Sequence, residues 1–194
     1  MKSFLIFSRF FVFVIITTFG LTCAGQKTQY GILFYNVENL FDTIDTPGKI
    51  DGEYTPASKK KWDTEKYNTK LQNLAQVIAA PDTHLPALIG LCEVENKNVL
   101  EDLILQGPLI SGGYRIIHFE SPDERGIDVA LLYQDKLFTV KQFRKIHVAL
   151  PEDNGGATRD ILYVQGRFKN VKQDLHIFVN HWPSRSEGEE ITRV

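Results

Sequence analysis

Short apolar runs alternate with polar stretches along most of this chain, and the runs are rich in β-branched and aromatic residues. Such runs, bounded by glycine, proline, asparagine and aspartate, are typical of β-strands. The run at Pro86–Cys92 is almost continuously apolar, which indicates a strand that is covered on both faces. The strands predicted on this basis are Gln29–Val37, Pro86–Cys92, Tyr114–Phe119, Ile127–Tyr133, Phe138–Val148, Ile161–Phe168 and Leu175–Val179.

Two other segments carry a helical pattern. A helix is predicted from Asp63 or Thr64 to about Ala80, because apolar residues recur there at spacings of three and four and so share one face. A shorter helix is predicted over Asn96–Leu105. The apolar face of the first helix consists of Tyr67, Leu71, Leu74, Ala75 and Ile78. A strand–helix–strand–helix order followed by a β-rich part indicates an α/β or α+β fold with mixed sheets.

The connection Glu38–Trp62, between the first strand and the first helix, is long and polar. Loops of this length inside a compact domain are usually functional or mobile. Its end carries a basic cluster, Lys59–Lys61, beside Trp62. Two interpretations are open for this cluster: contact with the phosphates of a nucleic acid, or an ordinary solvated run of charge.

Residues 1–25 have the layout of a secretory signal peptide, since positive charges precede an apolar stretch, Phe10–Leu21, and small residues follow it. We expect cleavage near Ala24 or Gly25. The apolar stretch is short for a bilayer core of about 30 Å, so stable membrane insertion is not expected. Lipid attachment at Cys23 is a less favoured alternative. Export to the periplasm, the cell surface or the medium is therefore predicted.

The remaining residues, 26–194, are enough for about one domain. With 43% hydrophobic and 24% charged residues, the chain has the composition of a globular protein. Its net charge of −2 carries no overall signature of nucleic-acid or membrane binding. A nucleic-acid substrate would therefore need a local basic patch. Outside the leader the cysteine is Cys92, and its apolar neighbours indicate a buried side chain rather than a nucleophile.

Polar residues capable of chemistry stand at the ends of three predicted strands. Asn36 follows the apolar part of the first strand and Glu93 follows the second. Asn180 and His181 follow Leu175–Val179, which is expected to be buried. Because strand ends are a common place for sites on α/β scaffolds, we expect these residues to share one pocket.

The types of these residues favour phosphate chemistry. Glu93 suits a hard metal ion such as Mg²⁺, which takes one or two carboxylates with water and substrate phosphates, although an ordinary surface glutamate is an equal alternative. His181 is the best candidate for acid–base chemistry or phosphate binding, because imidazole titrates near neutral pH. Asn36 can hydrogen-bond around a metal-bound phosphate, but alone it is better explained as a turn residue. Arg185, beside Asn180, offers a planar donor group suited to phosphate.

Asp128 stands directly before an apolar run and is a possible supporting residue, with Arg125 or Arg159 as its expected partner. A structural ion pair is favoured there over a direct part in catalysis. The other histidines lack comparable polar company and are expected to be structural; they are His84, His118, His147 and His176.

Four segments, in this order along the chain, resemble motifs of the endonuclease/exonuclease/phosphatase superfamily, which includes deoxyribonuclease I, exonuclease III, neutral sphingomyelinases and inositol-polyphosphate 5-phosphatases. Phe34–Asp42 resembles the strand that ends in the site asparagine, here Asn36. Ile89–Val94 resembles the segment with the metal-binding glutamate, here Glu93, although glutamine is usual at position 92. The other two segments are Arg125–Tyr133 and Val179–Arg185, the latter carrying the site histidine, His181.

The resemblance implies a four-layer α/β sandwich of the deoxyribonuclease I type with mixed sheets. It also implies hydrolysis of a phosphate ester that depends on Mg²⁺ or Mn²⁺, with metal and histidine stabilising the phosphoryl oxygens while water attacks in line. The family's later motifs, Gly-Asp-x-Asn and a terminal Asp-His pair, do not occur in this sequence. They supply the general base in the family. The pattern Ser186-x-x-Glu189 is typical of a helix start, only two turns before Val194. We therefore expect residues 26–194 to be the N-terminal portion of the domain and to show no phosphoesterase activity when alone.

Two classes of function are expected. The first is a metal-dependent phosphoesterase of nuclease or phosphatase type, with DNA, RNA, phospholipid or sugar phosphate as the open choices of substrate. The second is a non-catalytic binding module on the same scaffold. The presence of both Glu93 and His181 favours the enzyme. No protein partner can be inferred from the sequence.

Overall fold

The computed structural model describes residues 29–148 and 158–182. The helices are α1 (Thr64–Ala79) and α2 (Lys97–Ile104). The strands are β1 (Ile32–Leu40), β2 (Leu88–Val94), β3 (Tyr114–His118), β4 (Asp128–Gln134), β5 (Phe138–Ile146), β6 (Ile161–Phe168) and β7 (Leu175–Val179). Short 3₁₀ helices at Gly52–Tyr54 and Gly107–Gly112 lie in the connections that follow β1 and α2.

The strands form two sheets. The first has the order β1-β2-β4-β3, in which β1 and β2 are parallel and the other neighbours are antiparallel. The second has the order β5-β6-β7 and is antiparallel throughout. The parallel pair β1 and β2 is joined by a crossover that contains α1, as parallel pairing requires, whereas the antiparallel strands β3 and β4 follow one another through a short connection.

Two cores lie on opposite faces of the first sheet. On one face, side chains of β2 and β4 such as Leu91 and Leu132 pack with the apolar faces of α1 and α2. On the other face, Cys92 and Leu131 pack against side chains of the second sheet, including Val164. Helices, sheet and sheet are thus three successive layers of the predicted sandwich, and the mixed α/β fold class is confirmed. Among the helices of the described ranges, none is long and apolar enough to cross a bilayer.

Helix α1 confirms its predicted start and its buried face. The side chain of Asp63 caps the helix by accepting a hydrogen bond of 3.0 Å from the backbone N–H of Lys66. All five residues of the predicted apolar face are buried. Helix α2 begins after Asn96, whose side chain accepts hydrogen bonds from the backbone of Asn98 and Val99.

Strands β1 and β2 continue beyond the predicted points. β1 runs to Leu40 and β2 to Val94, so Asn36 and Glu93 lie inside irregular strand ends rather than after them. The register between β1 and β2 shifts between Asn36 and Leu40, and that between β2 and β4 shifts between Cys92 and Val94. These shifts are β-bulges, which insert extra residues while pairing continues.

Leu175–Val179 is a strand as predicted, but the prediction that it is buried was wrong. Among the described strands β7 lies at an edge of the second sheet, and its exposure alternates along the chain. Val179 packs in the core between the sheets, whereas Phe178 points away from it and is 56% exposed. A strand with one covered face shows this alternation. The adjacent apolar residues Phe178 and Val179 concealed it in the sequence, because such a strand usually has a polar residue at its exposed positions.

The long connection before α1 is ordered around aromatic contacts. The ring of Phe41 stacks on that of Tyr54 with centroids 4.2 Å apart, and the indole N–H of Trp62 donates to the carbonyl of Phe41 at 3.1 Å. Lys60 forms an ion pair of 2.7 Å with Glu53 and lies over the Tyr54 ring. Trp62 and Lys60 therefore have structural contacts of their own, which favours the interpretation of this basic cluster as a solvated surface.

Candidate metal and phosphate site

Glu93 is the centre of the site at the ends of β1 and β2. Its Oε1 accepts a hydrogen bond of 3.1 Å from Nδ2 of Asn36, and its Oε2 accepts one of 3.0 Å from the backbone N–H of Asn39. The side chain is 16% exposed. Each carboxylate oxygen has two acceptor positions, so both keep capacity for a further ligand. The carboxylate is therefore held in place but still accessible.

The bulges explain why Glu93 points into the site. Leu91 and Val94 both pack in the helix-facing core, although they are three residues apart and a regular strand would put them on opposite faces. The extra residue is Glu93, which has a φ of 64°. In β1, Val37 and Leu40 share the same core across a similar irregularity.

Three non-glycine residues at these bulges have positive φ: Glu93, Glu38 at 54° and Asn39 at 62°. The left-handed region costs an ordinary residue about 1–2 kcal/mol, so it persists only where the surroundings impose it. Here the strained turn at Asn39 aims its N–H at Glu93, and the turn at Glu93 removes its carboxylate from the core. The left-handed conformations of Asn39 and Glu93 thus both serve the hydrogen bond between the Asn39 N–H and the Glu93 carboxylate.

His181 approaches Glu93 from the second sheet. Its Nε2 lies 3.5 Å from Oε1 of Glu93, the oxygen that also accepts from Asn36. Within the described residues its buried Nδ1 has no hydrogen-bond partner. Burial, with Arg159 nearby, lowers the pKa of His181. The ring is therefore neutral at neutral pH, with one nitrogen as donor and the other as acceptor.

The structure thus brings Asn36, Glu93 and His181 together, as expected from their places at strand ends. Asn180 is half-buried and adjacent to His181 along the chain. Arg185 lies outside the described residues, so its predicted contact with phosphate stays a prediction. The roles assigned to all five side chains likewise stay predictions.

The expected partners of Asp128 were wrong. Asp128 pairs with Nε2 of His118 at 2.9 Å and accepts from the backbone N–H of Ser121 at 2.8 Å. Arg159 instead pairs with Asp123, with 3.0 Å between its Nη1 and Oδ2 of that residue. Arg125 lies 3.5 Å from the other oxygen of Asp123. Asp128 begins β4 close to the point where the neighbouring strand β3 ends in His118, and this sheet register is not visible in the sequence.

A second group of ligand-type side chains surrounds Asp128. His118, Glu120 and Asp128 each bring one ligand atom within 4.8 Å of the others. Burial and the Asp128 carboxylate raise the pKa of Glu120. This group has the atoms to hold a metal ion, but Nε2 of His118 and Oδ2 of Asp128 are already hydrogen-bonded to each other at 2.9 Å, and a ring nitrogen has only one such position. The buried pair of His118 with Asp128 agrees with the structural role expected for this histidine.

Glu95 is a buried carboxylate two residues beyond Glu93. It is 4% exposed, and it accepts hydrogen bonds from the backbone N–H of Asp42 at 2.6 Å and the hydroxyl of Thr46 at 3.2 Å. Burial, together with the charges of Asp42 and Asp51, raises its pKa to about 7. The loop after β1 folds over Glu95, and only this tertiary contact buries it.

An open groove of about 590 Å³ runs along α1 beside β1, on the helix side of the site. Lys70 lines it and donates a hydrogen bond of 2.6 Å to the carbonyl of Glu38, the residue beside the strained Asn39. Burial lowers the pKa of Lys70. Lys70 is thus a cation close to the bulge that holds Glu93, and the sequence analysis did not single it out.

Comparison with known proteins places this geometry in a family. A model described as "Endonuclease/Exonuclease/phosphatase family" matches residues 31–194. An endonuclease/exonuclease/phosphatase from Bacteroides vulgatus is 16% identical with a TM-score of 0.52, and the match covers 82% of this chain and 53% of that one. A functionally unknown conserved protein from Enterococcus faecalis V583 is 18% identical with a TM-score of 0.52, and the match covers 78% and 52%.

This chain therefore spans about half the length of these two solved structures. No curated protein matches it significantly. The structural similarity establishes the fold, and the family model covers most of the chain, including the bulged strand ends and His181. The chain belongs to the endonuclease/exonuclease/phosphatase family.

Proposed function

We propose that the complete protein is a divalent-metal-dependent phosphoesterase that hydrolyses a phosphate ester by in-line attack of water. The observation that supports this most directly is the shared oxygen of Glu93, which meets the Asn36 amide at 3.1 Å and the His181 ring at 3.5 Å. An acidic, an amide and an imidazole side chain at one strand end form a donor set for a hard metal and a phosphoryl group.

The donor set fits Mg²⁺ or Mn²⁺. Glu93 offers carboxylate oxygens as ligands and is partly accessible. Among the described residues, the imidazole beside it is that of His181, so the site suits an ion that keeps several waters. Such an ion, when bound, would polarise a phosphoryl oxygen. Glu93 would hold the ion, and Asn36 would fix the Glu93 carboxylate and keep its second amide hydrogen for phosphate.

His181 has a separate role in this proposal. A neutral imidazole donates one N–H, and in the site that donor stabilises negative charge on a phosphoryl oxygen as it develops. Because its Nε2 lies 3.5 Å from Oε1 of Glu93, the ring would lie beside a phosphate bound to a metal ion at Glu93. Asn180 and Arg185 would add further donors to the phosphate from the same segment.

We include in the proposal that residues 26–194 lack the general base. Nε2 of His181 faces Oε1 of Glu93 at 3.5 Å, so in this proposal the ring binds phosphate and another residue acts as the base. The family's Gly-Asp-x-Asn and Asp-His motifs are absent from the sequence. The substrate class within phosphate esters stays open, with nucleic acid and small phosphate esters as the two options.

The test is hydrolysis by the complete gene product, extended beyond Val194 where the reading frame continues, beside residues 26–194. Bis-p-nitrophenyl phosphate, p-nitrophenyl phosphate and plasmid DNA distinguish diester, monoester and nuclease activity. We expect activity that requires Mn²⁺ or Mg²⁺, is abolished by EDTA and is absent from the shorter chain. A complete protein without activity on any phosphate ester would favour the binding module, and full activity of residues 26–194 would overturn the assignment of the base.

Export also belongs to the proposal. Its support is the charged, apolar and small-residue layout of the first 25 residues, which lie outside the described residues. Sequencing the N-terminus of exported protein should give a start near Gln26. A retained Met1 would contradict cleavage, and a lipid on Cys23 would establish the alternative.

A further inference from the structure

Arg159 connects His181 to the rest of the fold. Its Nε donates a hydrogen bond of 3.2 Å to the backbone carbonyl of His181, while its Nη1 donates one of 3.0 Å to Asp123. Both members of the ion pair are buried, with side chains 6% exposed. A buried ion pair adds little net stability, because desolvation of two charges offsets their attraction. Its geometric consequence is therefore more informative than its energy.

His181 needs such a connection because it lies beyond the sheet. The last paired residue of β7 is Val179, opposite Leu162, so the ladder stops two residues before His181. β7 is also an edge strand, which leaves this segment with a sheet neighbour on one side only among the described strands. The Arg159 guanidinium, directly before β6, reaches the segment at the carbonyl of His181 itself.

Asp123 is a firm anchor for Arg159. Its Oδ1 accepts a hydrogen bond of 3.0 Å from the backbone N–H of Arg125, which leaves Oδ2 for Arg159. Its carbonyl accepts from Gly126 at 3.1 Å and from Nζ of Lys49 at 2.9 Å. The loop before β4 is thus tied to the long connection after β1. Through Arg159 the same loop is tied to His181.

We propose that Arg159, braced by Asp123, is a positioning residue that fixes the distance of the His181 ring from Glu93. This inference rests on the proposed function for its kinetic consequence but not for its structural one. Only a planar guanidinium donates to a carbonyl and a carboxylate in two fixed directions at once. A lysine keeps the charge, but its single nitrogen cannot reproduce the separate positions of Nε and Nη1, so it should release His181 without removing the buried cation.

The kinetic test compares Arg159→Lys in the wild-type and His181→Ala backgrounds of the complete gene product. We expect Arg159→Lys to lower kcat for bis-p-nitrophenyl phosphate by about 10- to 100-fold, the cost typical of a misplaced catalytic group. In the His181→Ala background it should lower kcat less than about 2-fold, because residues that act through one another are not additive. The matched control is Arg115→Lys, at an exposed pair with Asp135.

The outcome that overturns the proposal is an equal fold-loss in both backgrounds, since that is what a general loss of folding would produce. No loss in either background would overturn it as well. Thermal unfolding of each variant separates loss of stability from loss of position.

A second readout does not need activity. In protein with ¹³C-labelled histidine, the His181 ring signal, assigned by its disappearance in His181→Ala, should shift in Arg159→Lys, whereas that of the remote His84 should not. An unchanged His181 signal would refute the inference even if the enzyme is active. If no phosphate ester is hydrolysed, the proposed function fails and this measurement alone decides whether Arg159 positions His181.

Discussion

Nδ2 of Asn36 lies 3.1 Å from Oε1 of Glu93, although the two residues are 57 positions apart. The contact joins the irregular ends of two neighbouring parallel strands. It holds one oxygen of the carboxylate by a side chain while the backbone N–H of Asn39 holds the other. A carboxylate fixed at both oxygens is preorganised for a ligand, because little rotational freedom is left to lose on binding.

Removing the Asn36 amide should weaken metal binding without abolishing it. We expect Asn36→Ala to lower the affinity for Mn²⁺ by about 10-fold, in the range typical of partners that orient a metal ligand. Isothermal titration of the complete gene product measures this affinity. Asn170→Ala, at an exposed turn, is the matched control and should leave it unchanged. Equal affinities in all three proteins would mean that Asn36 does not orient Glu93 for a metal.

Deprotonation of the buried Glu95 should make the fold less stable at high pH. Its pKa is raised to about 7, so between about pH 4.5 and 7 the folded state keeps a proton that the unfolded state has lost. The stabilising contribution is fully present below the unfolded pKa and is lost as pH rises through 7. The loss amounts to about 3 kcal/mol at most, from the size of the shift.

Glu95→Gln tests this by mimicking the protonated form at every pH. Urea unfolding should show a smaller decline in stability from pH 5 to pH 8 than in the wild type, and the variant should be the more stable at pH 8. Glu101→Gln, at an exposed pair with Lys97, should retain the wild-type dependence. A pH profile that is the same in Glu95→Gln and the wild type would remove Glu95 as its source.

The thiol of Cys92 should be inert in the folded protein. It is 2% exposed, and burial raises its pKa to about 11, so little thiolate exists at pH 8. In the complete gene product, the Cys92 thiol should therefore react with Ellman's reagent only after guanidinium has unfolded the protein. A mass-mapped adduct on Cys92 under native conditions would contradict the assignment of this residue to the core between the sheets.

The helices show what periodicity can predict. The five apolar positions of α1 are all buried, and Asp63 caps the helix, because a helix repeats its contacts locally. The strands were located in order, but the bulges at Glu38–Asn39 and Glu93 were not foreseen. Their trace is a spacing of three between apolar residues that share a face, which is Val37 and Leu40 in β1 and Leu91 and Val94 in β2.

For the candidate site, the sequence predicted the residues that stand at strand ends and the chemistry of their side chains, but not the contacts between loops. Asn36, Glu93 and His181 were brought together as expected, whereas the Asp123–Arg159 pair links positions 36 residues apart and depends on how two loops meet. Glu95 was not singled out for the same reason. Its burial comes from a loop that closes over it, and such contacts leave no periodic trace in the sequence.

The most direct test of the account is the effect of Glu93→Gln on Mn²⁺-dependent hydrolysis of bis-p-nitrophenyl phosphate by the complete gene product. The substitution keeps the shape of the side chain and removes the charge that would anchor the ion. We predict a loss of kcat/KM on the order of 1000-fold, as for removal of a main electrostatic group, with Glu101→Gln at the wild-type rate. Wild-type activity in Glu93→Gln, or hydrolysis that EDTA does not affect, would contradict the account.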